Sequence, residues 1–182
     1  MKIHVLHKVL PFLFFLITQI VTSQEHHEEH EFKHFRISAS IGHGYIPEVS
    51  SQSASLIIIP SIGVELQYWF NSKWGVAAKN DLEIANYIVE PDDGSSNKFI
   101  RNYPVIVSTP VLYKPWEDKK VSFFLGPGIE FEGHENFSVL RMGVGFEFEV
   151  GKHWDFAPEV IYDLKNEIIN SLTVGIGIGR RF

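Results

Sequence analysis

Residues 171–182 read SLTVGIGIGRRF, and their alternation decides the fold. Leu172, Val174, Ile176, Ile178 and Phe182 share one side of an extended chain; Ser171, Thr173, Gly175, Gly177, Gly179 and Arg181 share the other. A helix would scatter both sets around its axis, since its period is 3.6 rather than 2. The stretch is a β-strand with one apolar face and one face of polar residues and glycine.

The same period runs backward through the chain to Phe35. It predicts seven more strands, near 35–45, 55–70, 74–88, 101–114, 121–132, 137–150 and 154–164. Most exceed the roughly five or six residues of an ordinary strand. They match the roughly 9–11 residues with which a tilted strand crosses a bilayer. Eight is an even number, as closure of an antiparallel up-and-down barrel requires in bacterial outer-membrane barrels.

A soluble barrel would alternate as well, so the decision rests on which face points inward. The polar face carries Gly42, Gly44, Gly63, Gly75, Gly126, Gly128, Gly143, Gly145, Gly175, Gly177 and Gly179. On a solvated face, glycine only weakens a strand. Inside a narrow eight-stranded barrel it makes room for the long side chains that fill it. The polar face is therefore expected inside, and the apolar face in lipid.

The connections alternate in kind. NSK, PWEDKK and GKH are short, whereas IPEVSSQSA, VEPDDGSSNKF, GHEN and KNEIIN are longer or more polar. Short periplasmic turns and longer outer loops are the outer-membrane pattern, and they put both termini on the periplasmic side. Trp69, Trp74, Trp116 and Trp154 flank the short turns with Tyr68, Phe70 and Tyr113. They predict an aromatic girdle at that membrane boundary, with Tyr45, Tyr103, Phe131 and Tyr162 forming a sparser outer one.

The N-terminus carries Lys2 and Lys8, an apolar run from Val9 to Val21, and small residues before Gln24. That is the build of a cleaved secretory signal peptide over 1–23. A His/Glu-rich periplasmic tail over 24–34 and the barrel over 35–182 complete the expected organisation. Removing the signal takes the net charge from −6 to −8, which excludes nucleic acid as a partner. Absence of cysteine excludes disulfides and thiolate metal sites.

Inside the barrel, Arg36, Lys79, Arg141 and Arg181 face Glu65, Asp81, Glu83, Glu130, Glu132, Glu147, Glu149, Asp155, Glu159 and Asp163. An ion-pair network is expected, with Arg141 against Glu130 or Glu132. Because buried carboxylates find a cation or neutralise, the excess of acids also suggests a divalent-cation site at Glu130, Glu132, Glu147 and Glu149.

HEFKH at 30–34 matches the H-E-x-x-H zinc-protease pattern. It lies in the run EHHEEHEFKH, where composition nearly forces the match, and no helical domain surrounds it. The residual expectation is metal affinity of His26, His30 and His34, which would share a face of a helix. No catalytic residue is assigned. A rim hydrolase or acyltransferase would draw on His43, His134 and Ser138, but His43 is on the first strand and His134 between the fifth and sixth, far apart around the barrel.

The signal peptide, the eight alternating strands and the ending LTVGIGIGRRF together resemble the small eight-stranded outer-membrane β-barrels of Gram-negative bacteria, the OmpA/OmpX-like "porin family" barrels. The resemblance covers 35–182 and implies two partners: outer-membrane lipid, and the barrel-assembly machinery through the last strand ending in Phe182. It carries over no activity and no catalytic residue; with the narrow width of eight strands, the expected protein is a structural, binding or sensing one without an open pore and with no cofactor beyond a possible divalent cation. Metal handling by the tail and acidic interior is the first alternative, and a rim enzyme the second.

Overall fold

The computed structural model describes residues 32–50, 53–89, 99–116, 120–133, 135–166 and 169–182. The signal segment, His26 and His30 lie outside them, as does His134. Twelve strands are formed: β1 (Phe35–Ser50), β2 (Ser53–Trp69), β3 (Trp74–Glu83), β4 (Asn86–Val89), β5 (Phe99–Asn102) and β6 (Val105–Ser108); then β7 (Val111–Tyr113), β8 (Val121–Phe131), β9 (Phe137–Phe146), β10 (Phe148–Gly151), β11 (Trp154–Lys165) and β12 (Ile169–Arg181). No described helix is long and apolar enough to cross a membrane.

Every pairing is antiparallel, and β12 returns to β1 with Ile176 opposite Ile41, closing the ring. Eight staves result. β6 and β7 make the fourth, β9 and β10 the sixth, and the β4–β5 hairpin prolongs the third and fourth. In the main ring of described strands closure joins the first and last edges, which is the condition for a sheet in lipid, and the β4–β5 hairpin is a separate two-stranded sheet beyond it.

Three expected boundaries are corrected. The nine-residue loop IPEVSSQSA is mostly strand, since β1 and β2 stay paired out to Ser50 opposite Ser53. Alternation simply continues there, with Ile46 and Ile59 buried beside Tyr87 and Phe137. The strand expected over 101–114 is interrupted at Tyr103–Pro104 and Thr109–Pro110. Proline has no N–H for the ladder, although Pro104 and Pro110 still accept bonds from Glu83 N and Ala77 N through their carbonyls. Tyr103 has φ 45, and around it the inward side shifts from odd residues (Arg101) to even ones (Ile106, Ser108). The strand expected over 74–88 likewise breaks between Glu83 and Asn86.

The inward face is the polar one. Arg36, Ser38, Glu65, Gln67, Lys79, Ser108, Glu130, Arg141, Asp155 and Asp163 are all buried. Outside lie Ile41, Ile62, Val64, Leu66, Leu125, Leu140, Ile176 and Ile178, all exposed. Trp74, Trp116 and Trp154 project outward at the end where the short turns lie. Trp69 does not: it is 1% exposed, on the inward parity of β2 with Gln67, and its indole N–H donates to Gln67 Oε1 at 2.8 Å. It caps the lumen instead of joining the girdle.

Lumen glycines do make room. A Cβ on Gly179 would land on the Arg36 guanidinium, and one on Gly143 would meet the Phe124 ring. Gly179→Ala is expected to destabilise the folded protein by about 1–3 kcal/mol, as overpacking does. Gly151→Ala, with nothing within 4 Å of the added carbon, should be near neutral. Urea titration of detergent-folded protein would compare them, and equal losses would refute the packing role of Gly179.

Candidate functional site

The chemistry-bearing residues gather in the lumen, because each stave turns every second side chain inward. From the end that holds the termini upward, the ion pairs form a ladder. Glu147 meets Arg181, Lys114 at 2.7 Å and Arg36 at 4.0 Å. Arg36 clamps Asp155 with two bonds, at 2.5 and 3.0 Å, and reaches Glu65 at 3.5 Å. Lys79 lies between Glu159 at 2.6 Å and Glu65 at 3.4 Å.

Arg141 holds the middle. Its Nε and Nη2 each donate to Asp163 at 2.8 Å, while Nη1 reaches Asp81 and the Ser108 hydroxyl. Above it, Lys165 joins Glu83 at 2.9 Å to Glu130 at 2.5 Å. Arg101 also binds Glu130 and donates to the Glu135 carbonyl at 2.8 Å, and the Tyr87 hydroxyl donates to Glu83 at 2.5 Å.

Two apolar clusters cross this ladder. Trp69, Ala77, Leu112, Phe124 and Ile161 pack together on the side of the termini. Ile46, Ile59, Tyr87 and Phe137 pack at the opposite end. Cations bind them to the network through ring faces: Lys114 over Trp69 at 4.5 Å, Lys79 over Phe124 at 4.9 Å and Arg101 over Phe137 at 4.0 Å. A cavity of about 30 Å³ lined by Arg36, Ser38, Glu65, Lys79, Asp81 and Glu159 accommodates water, not a solute.

The expected pair of Arg141 with Glu130 or Glu132 is corrected: Arg141 binds Asp163, its register partner on β11, and reaches across the lumen to Asp81 on β3. On β8, Gly126 is the residue opposite Arg141, and Glu130 lies opposite Phe137. The four-glutamate cation site is not assembled either. Glu147 N bonds Lys120 O, ten residues along the sixth stave from Phe137, so the two glutamate pairs stand roughly 30 Å apart along the staves at the strand rise. Glu132 accepts from Asn102 Nδ2 at 3.4 Å, and Glu149 is exposed at the opposite end. Among the described residues no three His, Asp or Glu side chains converge as metal ligands.

Arg101, Lys114 and Lys165 join the lumen cations named from sequence, and they absorb much of the apparent acid excess. Lys165 shares the inward parity of Asp163 and was legible one residue beyond the expected strand end. Arg101 was not, because parity changes at Tyr103.

His34, the described histidine of the tail set, bonds the Trp69 carbonyl through Nδ1 at 2.7 Å and stacks on Tyr68. His43 is on the outer face, opposite Pro60 and Val174. Ser138, on the sixth stave, donates its hydroxyl to Asn166 Oδ1 at 2.9 Å. His43 and Ser138 form no dyad.

Neither a protein-family model nor a curated protein matches the sequence. Solved structures do resemble the fold. Neisserial surface protein A is 15% identical, with 81% of this chain and 97% of that chain covered and a TM-score of 0.54. Ail, the attachment invasion locus protein of Yersinia pestis, is 17% identical over 83% of this chain and 100% of its own, at 0.55. The N-terminal β-barrel domain of Pseudomonas aeruginosa OprF is 10% identical over 84% and 100%, at 0.53. The chain has the closed eight-stranded architecture of the small outer-membrane barrels.

Proposed function

We propose that the protein is an integral outer-membrane β-barrel with a plugged lumen, a structural, binding or sensing component and neither a channel nor an enzyme. The observation that carries this reading is the segregation of chemistry between the two faces. An apolar outer face lies between Trp74, Trp116 and Trp154 at one end and Tyr103, Phe131 and Tyr162 at the other. In water such a belt would far exceed the few hundred Å² of apolar patch a soluble monomer tolerates. In a bilayer it matches the hydrocarbon, and its aromatic borders match the two interfaces. The short turns share an end with the termini, which supports a periplasmic location for both.

Plugging follows from the ion-pair ladder and the two apolar clusters. Eight staves enclose just enough width for side chains to fill, and water-filled channels belong to barrels of about 16 strands or more. Gel mobility of membrane-extracted protein, unboiled against boiled, tests the barrel: a heat-dependent shift is expected. An unshifted protein recovered from the soluble periplasmic fraction would sink the membrane reading. In planar bilayers the protein is expected to show no sustained porin-sized current steps, and steady large steps would remove the plug from the proposal.

A further inference from the structure

We propose that Lys33, Lys152, His153 and Arg180 form a phosphate site for an anionic phospholipid on the outer rim of the barrel, at the end that holds the termini. Two adjacent arginines show how the site arises. Arg181 turns into the lumen and pairs with Glu147. Arg180, opposite Trp154 and Ile37 in the ladder, turns outward. Its guanidinium lies over the Trp154 ring at 5.7 Å and the Phe182 ring at 5.0 Å, and its Nε is buried with no hydrogen-bond partner among the described residues.

Lys33 Nζ meets His153 Nδ1, so a second cation and an imidazole stand at the same rim. Partial burial, followed by the charges of Lys152 and Arg180, holds the Lys33 ammonium below the ordinary lysine range. No described carboxylate pairs with any of the four groups, whereas the lumen cations are all paired. His153 has φ 73, a conformation that costs a residue with a Cβ and costs glycine nothing. That conformation closes the short GKH turn and presents the imidazole beside Lys33.

A phosphodiester supplies what the cluster lacks: a negative charge and acceptor oxygens for an ammonium, an imidazole N–H and a guanidinium. Lipid fits better than a free anion because Trp154, Phe148 and Val150 stand exposed beside the cluster. Acyl chains lie along such a surface while the headgroup meets the basic rim. The site rests on the reading of the outer face as lipid-facing.

The test uses the full chain in phosphatidylcholine vesicles containing brominated phosphatidylglycerol, with tryptophan quenching as the readout. A basic residue at an anionic surface contributes about a fivefold change in affinity. The wild type is expected to prefer phosphatidylglycerol over phosphatidylcholine by roughly fivefold or more, and Lys33→Gln/Lys152→Gln/Arg180→Gln to approach parity while inserting equally well. Undiminished preference in that variant overturns the site. So does absence of preference in the full chain with its appearance after deletion of residues 24–31, which would make Glu25, Glu28, Glu29 and Glu31 the occupants. Failure of both proteins to insert into neutral vesicles overturns the membrane reading, and the site with it.

Discussion

Arg141→Ala is expected to lower the stability of the folded barrel by about 3–5 kcal/mol, the loss typical when one partner of a buried ion pair is removed. Arg141 is 1% exposed and carries Asp163, Asp81 and Ser108 at once. Alanine would leave two carboxylates facing each other in a lumen with little water, and Lys79, whose charge also acts on Asp81, is not free to replace the lost guanidinium. Lys79 is already held by Glu159 and Glu65, and Lys165 by Glu83 and Glu130.

The damage comes from stranded charge and not from lost packing alone, so neutralising the whole group should recover most of it. Arg141→Met combined with Asp81→Asn and Asp163→Asn is expected to stand well above Arg141→Ala, since uncharged replacements of similar volume are often tolerated. Urea titration in detergent, read by the fraction that keeps its unboiled mobility, compares the variants. A loss for Arg141→Ala within about 1 kcal/mol of wild type would mean that water solvates the carboxylates. The lumen would then be wet, contrary to the plugged reading.

Ile176→Arg should cost about 2–4 kcal/mol when the protein is folded into lipid vesicles, the range for arginine at the bilayer midplane of a barrel. Ile176 is 47% exposed on the outer face, opposite Ile41 and Pro158. It lies midway along β12 between Arg180 and Leu172, the latter in register with Tyr45 and Tyr162. Asn170→Arg, on the same face of the same strand beyond Leu172, is the comparison. Near an interface the expected cost is only about 0–1 kcal/mol. Depth dependence is the signature: water around the whole outer face would give both positions the same small effect.

How much of this was legible in the chain differs by level. Residues 171–182 specify a strand, its two faces and, through the glycines, which face turns inward. Local geometry suffices for that, because side chains alternate on any extended backbone and only glycine spares space for Arg36 or Phe124. The eight staves, the inward acids and the outward aliphatics follow from repeating the same reading. It failed where the backbone departs from regular pleating. The positive φ of Tyr103 reverses which side of the fourth stave faces in, hiding Arg101, and the prolines divide what reads as one strand.

Which acid meets which base belongs to another level. Alternation places Arg141, Glu130 and Glu147 inside without giving their height or their partners. An antiparallel register sends Glu130 and Glu147 toward opposite mouths, although only sixteen residues separate them in sequence. Closure of β12 on β1 then lets Arg141 reach Asp81 from a non-adjacent stave, a contact that no pattern along the chain encodes. Trp69 shows the same limit on one side chain: its position by a short turn predicts the membrane boundary, while the parity of β2 takes it into the lumen. The sequence by itself thus determined the strands and their two environments, because each depends on neighbours along the chain, and the even strand number pointed to closure. Pairing inside the lumen was decided only by the tertiary structure, because it depends on the register between neighbouring staves, as for Arg141 with Asp163, and on distances across the barrel, as for Arg141 with Asp81.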